Sequence, residues 1–117
     1  MKIIIAGSRT FNDYKKLCEI CDLFLQDQTD VEIVSGANYK GADKLGEQYA
    51  KERGYSITQF PADWKRFGKA AGPKRNEQMA NYADTLVAFW DGKSRGTKNM
   101  IQIAEKEILK VIIIPFY

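Results

Sequence analysis

The chain has 117 residues, about the size of one domain and long enough to bury a core without disulfide or metal staples. Its 44% hydrophobic and 28% charged residues exclude a disordered tail or fibrous repeat, and no apolar run approaches the roughly 20 residues of a membrane span. A net charge of +3, from 18 basic and 15 acidic side chains, is too slight for a nucleic-acid footprint, and the absence of histidine excludes Ser-His-Asp and Cys-His catalysis.

Residues 2–6, Lys-Ile-Ile-Ile-Ala, form a short β-branched run that predicts a buried strand and does not read as an export signal, so the cytoplasm is the expected compartment. Asn12 or Asp13 caps a helix reaching about Gln28, with Tyr14, Leu17, Cys18, Cys21 and Leu25 on one stripe. The C-x-x-C spacing of Cys18 and Cys21 lies mid-helix among apolar residues. A redox pair would open a helix and zinc would need two further ligands, so core packing is expected, with no metal and no cofactor. Val31–Ser35 is a second strand, followed by a glycine-bearing loop. Ala42–Arg53 is a second helix stopped by Gly54, and Tyr55–Phe60 a third strand ended by Pro61. A polar stretch, Ala62–Gly72, precedes a helix from Pro73 to about Tyr82. Thr85–Trp90 is the fourth strand. A loop through Thr97 leads to a helix ending near Ile108, and Lys110–Ile114 is the fifth strand.

Each strand is followed by a helix long enough to cross over, which joins parallel strands in the right-handed sense. The expected fold is α/β: a Rossmann-like open parallel five-stranded sheet with helices on both faces, in a single domain over 1–117.

Ligands of such sheets sit beyond the carboxyl ends of the strands, so the strand-to-helix loops matter most. They are Gly7-Ser8-Arg9-Thr10-Phe11; Ser35-Gly36-Ala37-Asn38-Tyr39-Lys40-Gly41-Ala42-Asp43; Asp63–Arg75; and Asp91–Lys98. Three are rich in Gly, Ser or Thr and all carry Arg or Lys, whereas loops on the opposite edge lack this clustering. Glycines let amide groups approach an anion, Ser8, Ser35, Ser94 and Thr97 add hydroxyl donors, and Arg9, Lys40, Arg75 and Arg95 add charge. The alternative, that these are turn residues and solvated rim charges, stays open at this level. Neither G-x-G-x-x-G nor G-x-x-x-x-G-K-[ST] occurs, which argues against a dehydrogenase or an ordinary P-loop ATPase. Phe11, Tyr39, Trp64, Phe67 and Trp90 fall in or beside these loops. A stacked base or a small satellite core would account for them.

The strings G-S-R-T-F, V-S-G-A-N-Y-K-G-A-D, F-P-A-D-W, A-G-P-K-R-N-x-x-M and F-W-D-G-K-S-R-G-T-K-N-M resemble the small YspA- and DprA-like branch of the SLOG superfamily, common in bacteria and their phages. The resemblance runs from Lys2 to about Ile114 and implies a Rossmann-like domain that binds nucleotides, nucleotide sugars or related ligands. Ala37 stands where many relatives carry a second glycine. Arg75-Asn76-Glu77-Gln78-Met79 is similar to the R-K-x-x-M helix of the Lonely Guy phosphoribohydrolases, which places Arg75 at their catalytic arginine. Lys93–Met100 aligns with their P-G-G-x-G-T-x-x-E loop, retaining Gly96 and Thr97 but with Met100 in place of the glutamate. N-glycosidic cleavage needs a carboxylate, which Met100 does not supply.

The resemblance therefore implies a binding protein for a nucleotide-derived, ADP-ribose-like small molecule, acting as sensor or sequestering protein. It also implies a homodimer or larger homo-oligomer, with contacts from the third loop and the helix at Pro73–Tyr82. An alternative is a nucleotide or nucleotide-sugar hydrolase with a relocated carboxylate, Asp43, Asp63 or Asp91, with Glu77 as a further carboxylate. A third is a single-stranded nucleic-acid binder, which the small net charge supports weakly. The ligand-binding set expected is Gly7, Ser8, Arg9, Thr10, Phe11, Ser35, Gly36, Ala37, Lys40, Gly41, Asp43, Asp63, Trp64, Arg75, Asn76, Asp91, Ser94, Arg95, Gly96 and Thr97.

Overall fold

Ile3, Ile4 and Ile5 are all completely buried, which a strand achieves only when both of its faces are covered. The computed structural model, which describes residues 1–116, places them in the central strand of a five-stranded sheet. The strands are β1 (Lys2–Gly7), β2 (Glu32–Ser35), β3 (Ser56–Gln59), β4 (Thr85–Trp90) and β5 (Lys110–Pro115), in the order β3-β2-β1-β4-β5. Every pairing is parallel, with Ile3 opposite both Ile33 of β2 and Thr85 of β4. The α/β Rossmann-like architecture expected from the strand-helix alternation is the one observed.

The strand period of two divides the core. Ile3, Ile5, Ile33, Val87 and Phe89 face one side, where Leu17, Cys21 and Leu25 of α1 (Tyr14–Leu25) and Tyr49 and Ala50 of α2 (Ala42–Arg53) cover them. Ile4, Ala6, Val34, Leu86 and Ala88 face the other, beneath two further helices. Cys18 and Cys21 are free thiols on α1, and burial pushes the Cys21 thiol up to about 12.

Several boundaries differ from expectation. Helix α1 ends at Leu25 and not near Gln28, because its apolar stripe ends there: Gln26, Asp27 and Gln28 are exposed and nothing anchors another turn. The polar stretch after β3 is partly helical. It holds α3 (Trp64–Phe67), capped by Asp63 Oδ1 accepting from the Arg66 N–H at 3.1 Å, and a 3₁₀ turn, Gly68–Ala70. Helix α4 (Ala71–Tyr82) opens two residues before Pro73, which still occupies the first turn, where a missing N–H leaves no bond unmade. Helix α5 (Arg95–Lys106) opens just after its cap Ser94, so Arg95, Gly96 and Thr97 form a first turn and not a loop. It ends before Ile108, which takes a φ of +62°. Met79 and Ala80 of α4 and Met100, Ile101 and Ala104 of α5 complete the second core face. No helix among the described residues is long and apolar enough to cross a membrane.

Gly41 holds the first two strand-to-helix loops together. It has a φ of +75°, and a Cβ there would stand 2.5 Å from both Arg9 Cα and the Ser8 carbonyl oxygen. With glycine, the Ala42 N–H can donate to that Ser8 carbonyl.

Candidate functional site

Strand β1 sends its chain to helices on one face of the sheet and β4 to a helix on the other, so their carboxyl ends part at the topological switch point. A cavity of about 570 Å³ occupies that crevice. Its walls include Gly7 at the end of β1 with Ser8, Arg9 and Thr10 after it; Asp43 of α2; Arg75, Asn76 and Met79 of α4; Asp91 and Ser94 after β4; and Arg95, Gly96 and Thr97 in the first turn of α5. Trp64 stands at the rim, 55% exposed. A smaller pocket of about 210 Å³ lies against Gly36, Ala37 and Pro61, with Arg9, Asn38, Trp64 and Arg75 bordering both spaces.

The first loop is pinned through Ser8, which is buried. Its N–H donates to the Phe89 carbonyl, its carbonyl accepts from the Phe11 and Ala42 N–H groups, and its Oγ accepts from the Asp91 N–H at 3.3 Å. Ser8 thus ties three loops together, while the neighbouring N–H groups of Arg9 and Thr10 meet no acceptor among the described residues. Phe11 does not line the cavity. It stacks on Phe89 with ring centroids 4.6 Å apart and belongs to the core on the α1 side.

The last loop is equally ordered. Asp91 Oδ1 accepts from the N–H groups of Lys93 and Ser94, both at 2.8 Å, and these bonds, Ser94's first, hold its carboxyl below the usual carboxylate range. Asp91 is therefore a turn-forming residue. Ser94 Oγ accepts from the Thr97 N–H and meets Thr97 Oγ1 at 3.0 Å, and Trp90 Nε1 donates to the Ser94 carbonyl. The next N–H groups, of Arg95 and Gly96, meet no acceptor among the described residues and lie at the positive end of a three-turn helix.

The second loop behaves differently. It was expected to offer its amides to an anion, but its own side chains take them. Ser35 Oγ accepts from the Ala37 N–H, Asp43 Oδ2 from the Asn38 N–H at 3.2 Å, and Asn38 Oδ1 from the Lys40 N–H. Ser35 also donates to Glu47 at 2.6 Å, which removes it from the ligand-facing set. Ala37 carries a φ of +61°, a left-handed backbone for which a glycine would be unstrained. Lys40, Gly41 and Asp63 line neither space; Lys40 lies over the exposed ring of Tyr39, and Asp63 caps α3. Glu77 is exposed on α4 and also lies outside both.

Arg75 and Asp43 meet over Gly36. A Cβ on residue 36 would lie 2.6 Å from Arg75 Nη1 and 2.8 Å from Asp43 Oδ2, so glycine leaves room for both groups. Arg75 Nη1 donates to the Gly36 carbonyl at 2.5 Å and Nε to Asn76 Oδ1 at 3.0 Å. Asn76, itself buried, donates to Asn99 Oδ1 at 2.9 Å and links α4 to α5. Burial lowers the Arg75 pKa, partly offset by Asp43. Burial also pushes the Asp43 carboxyl up to about 6, against the lowering effect of the Asn38 N–H, Arg75 and Arg9.

Ala6, Asn38, Gly72, Pro73, Met79, Asn99 and Met100 line the larger cavity although the expected ligand-binding set did not include them; Met100 does so from the position aligned with the relatives' glutamate. Helical faces carry most of them: Gly72 and Met79 flank the expected Asn76 at the i, i+4, i+7 spacing, and Asn99 and Met100 lie one turn beyond Gly96.

The comparisons with known proteins bear on the family and the fold. Residues 1–67 match the family model described as YspA, cpYpsA-related SLOG family. The Gene 61 protein of Mycobacterium phage D29 is 30% identical over 118 aligned residues, which take in 95% of this chain and 94% of the phage protein. Among solved structures, DNA processing protein A from Streptococcus pneumoniae superposes with a TM-score of 0.78 at 20% identity. That match covers 99% of this chain but 50% of the other, so it carries the fold and the chain spans half the length of that structure. With more than half of its residues matched by the family model and a phage relative aligned almost from end to end, the chain belongs to the YspA, cpYpsA-related SLOG family.

Proposed function

We propose that this protein binds a nucleotide or nucleotide-derived small molecule in the larger cavity and holds it intact, as a sensor or sequestering protein. The observation that carries the reading is convergence. Arg9, Thr10, Arg95 and Gly96, whose amides are unengaged, line one cavity together with Arg75, so three arginines and two pairs of free amides belong to residues of the same wall. Trp64, 55% exposed, gives the same space an aromatic face for a base, while Met79 and Met100 close its apolar floor and are almost wholly buried. Its volume of about 570 Å³ lies within the range of small-molecule sites.

Binding is favoured over hydrolysis by two of the three candidate carboxylates and by the residue at the glutamate position, with Asp43 left facing the cavity. Asp63 and Asp91 are held by backbone N–H groups of their own turns, and Met100 brings a thioether to the wall where a glutamate would act. Titration calorimetry with the ribonucleoside 5′-monophosphates and ADP-ribose, followed by chromatography of the mixture, tests the reading. An intact bound ligand is expected, with affinity reduced about tenfold or more in Arg75→Ala and in Arg95→Ala. Absence of binding, or parent-like affinity in both variants, overturns the assignment, and recovery of free base replaces holding with hydrolysis.

A further inference from the structure

We propose that Asp43 reads the sugar of the ligand: its Oδ1 accepts hydrogen bonds from ribose hydroxyls, so that the cavity takes ribonucleotides in preference to their 2′-deoxy forms. This rests on the reading that the cavity holds a nucleotide-derived ligand, and it assigns that ligand's class.

Asp43 is 8% exposed, yet only one of its oxygens is engaged, Oδ2 with the Asn38 N–H. No buried side-chain nitrogen or oxygen among the described residues lacks a partner. The unengaged Oδ1 is therefore not sealed within protein, and the space that Asp43 borders is the larger cavity. A nearly buried carboxylate thus presents a free acceptor to a site that also carries Arg9, Arg75 and Arg95, and whose other carboxylate, Asp91, bonds the N–H groups of its own turn.

An ionised carboxylate repels phosphate and accepts from neutral donors. In a nucleotide those donors are the sugar hydroxyls and the amino groups of some bases. Position decides between them. Arg75 and Asp43 stand together over Gly36. If Arg75 draws the phosphate, the group joined directly to that phosphate, the sugar, reaches the carboxylate beside it. The base then falls toward the exposed ring of Trp64. A site built to bond a hydroxyl leaves its own buried group unpaired when the hydroxyl is missing, which is why such sites discriminate strongly.

The test uses the intact chain and calorimetry at pH 8. Each ribonucleoside 5′-monophosphate is compared with its 2′-deoxy form, and ADP-ribose with forms lacking the 2′-hydroxyl of either ribose. The ribo form should bind about 10- to 100-fold more tightly, the strength of a hydrogen bond to a charged group. In Asp43→Asn the amide oxygen keeps the Asn38 N–H, and the preference should fall below about threefold. The parent protein offers a second arm that needs no variant. As pH drops through about 6 the carboxyl gains its proton and the preference should fade, while the phosphate, common to both ligands of a pair, cancels from the ratio. The charged groups facing Asp43 are Arg75 from α4, Arg9 from the first loop and Glu47 from its own helix. Equal affinity of ribo and deoxy forms overturns the inference and leaves nucleotide binding standing. So does a preference that survives both Asp43→Asn and acidification. Failure of every probe to bind overturns both.

Discussion

Replacing Asp43 with asparagine is expected to make the unliganded protein more stable at neutral pH. Burial is the largest influence on this carboxyl, and together with Glu47 it outweighs the Asn38 N–H, Arg75 and Arg9, leaving the pKa at about 6. In an unfolded chain the value is about 3.9. The folded value is the higher one, so between about pH 4 and pH 6 the folded state keeps a proton that the unfolded state has released, and stability falls as pH rises through that window. Above pH 6 the full penalty is present: about two pH units at about 1.4 kcal/mol each, or about 3 kcal/mol. Below about pH 4 it is absent. Asparagine carries no charge at either pH and keeps an acceptor for the Asn38 N–H. Urea unfolding should therefore show the variant about 3 kcal/mol more stable at pH 7.5, with unchanged m, and little different near pH 4. A variant less stable than its parent at pH 7.5, or shifted equally at both pH values, refutes the reasoning.

Gly36→Ala places a methyl group where the Arg75 guanidinium lies, and the end of a flexible side chain can yield. Ligand affinity should fall about tenfold with little change in the urea midpoint, and unchanged affinity counts against Arg75 as a binding group. Ala37→Gly relieves a φ of +61°. It should stabilise the fold by about 1 kcal/mol, read again by urea, with an unmoved or lowered midpoint as the contrary result. Cys21 is fully buried with its thiol pushed up to about 12. Iodoacetamide at pH 8 should leave it unmodified in the native protein and label it in urea, as peptide mass spectrometry would show; native labelling contradicts the burial.

The sheet is legible in the sequence because a run such as Ile3-Ile4-Ile5 has no solvent-facing side to offer, and because alternating strands and helices of one handedness leave few topologies. The short helix Trp64–Phe67 is not legible. Four residues carry no periodicity, and the turn depends on the Asp63 cap and on Trp64 lying against Gly72, a tertiary contact. In the site, the clustering of Gly, Ser and Arg marks the loops but not where their amides point. That Ser35, Asn38 and Asp43 close the second loop on itself follows from side-chain geometry, which spacing does not encode. Phe11 reads as a loop aromatic beside a binding edge. It is core because Phe89 faces the α1 side with Ile5 and Val87, and the chain leaving β1 folds back over that ring.

The loops divide the work of the cavity by charge. The first and last leave pairs of amides unengaged and carry Arg9 and Arg95, with the last loop's Asp91 bonded to its own turn, whereas the second uses its amides internally and leads to the Asp43 carboxylate. At an effective dielectric of about 20, an anion about 5 Å from an ionised Asp43 would be opposed by about 3 kcal/mol, comparable to what one arginine contact returns. A small ion filling the whole space would meet both signs at once. The arrangement instead fits a molecule that is anionic at one end and rich in neutral donors at the other. In the folded chain Asp43 weakens its own structure, and a ligand hydroxyl is the group that would supply the partner its free oxygen lacks.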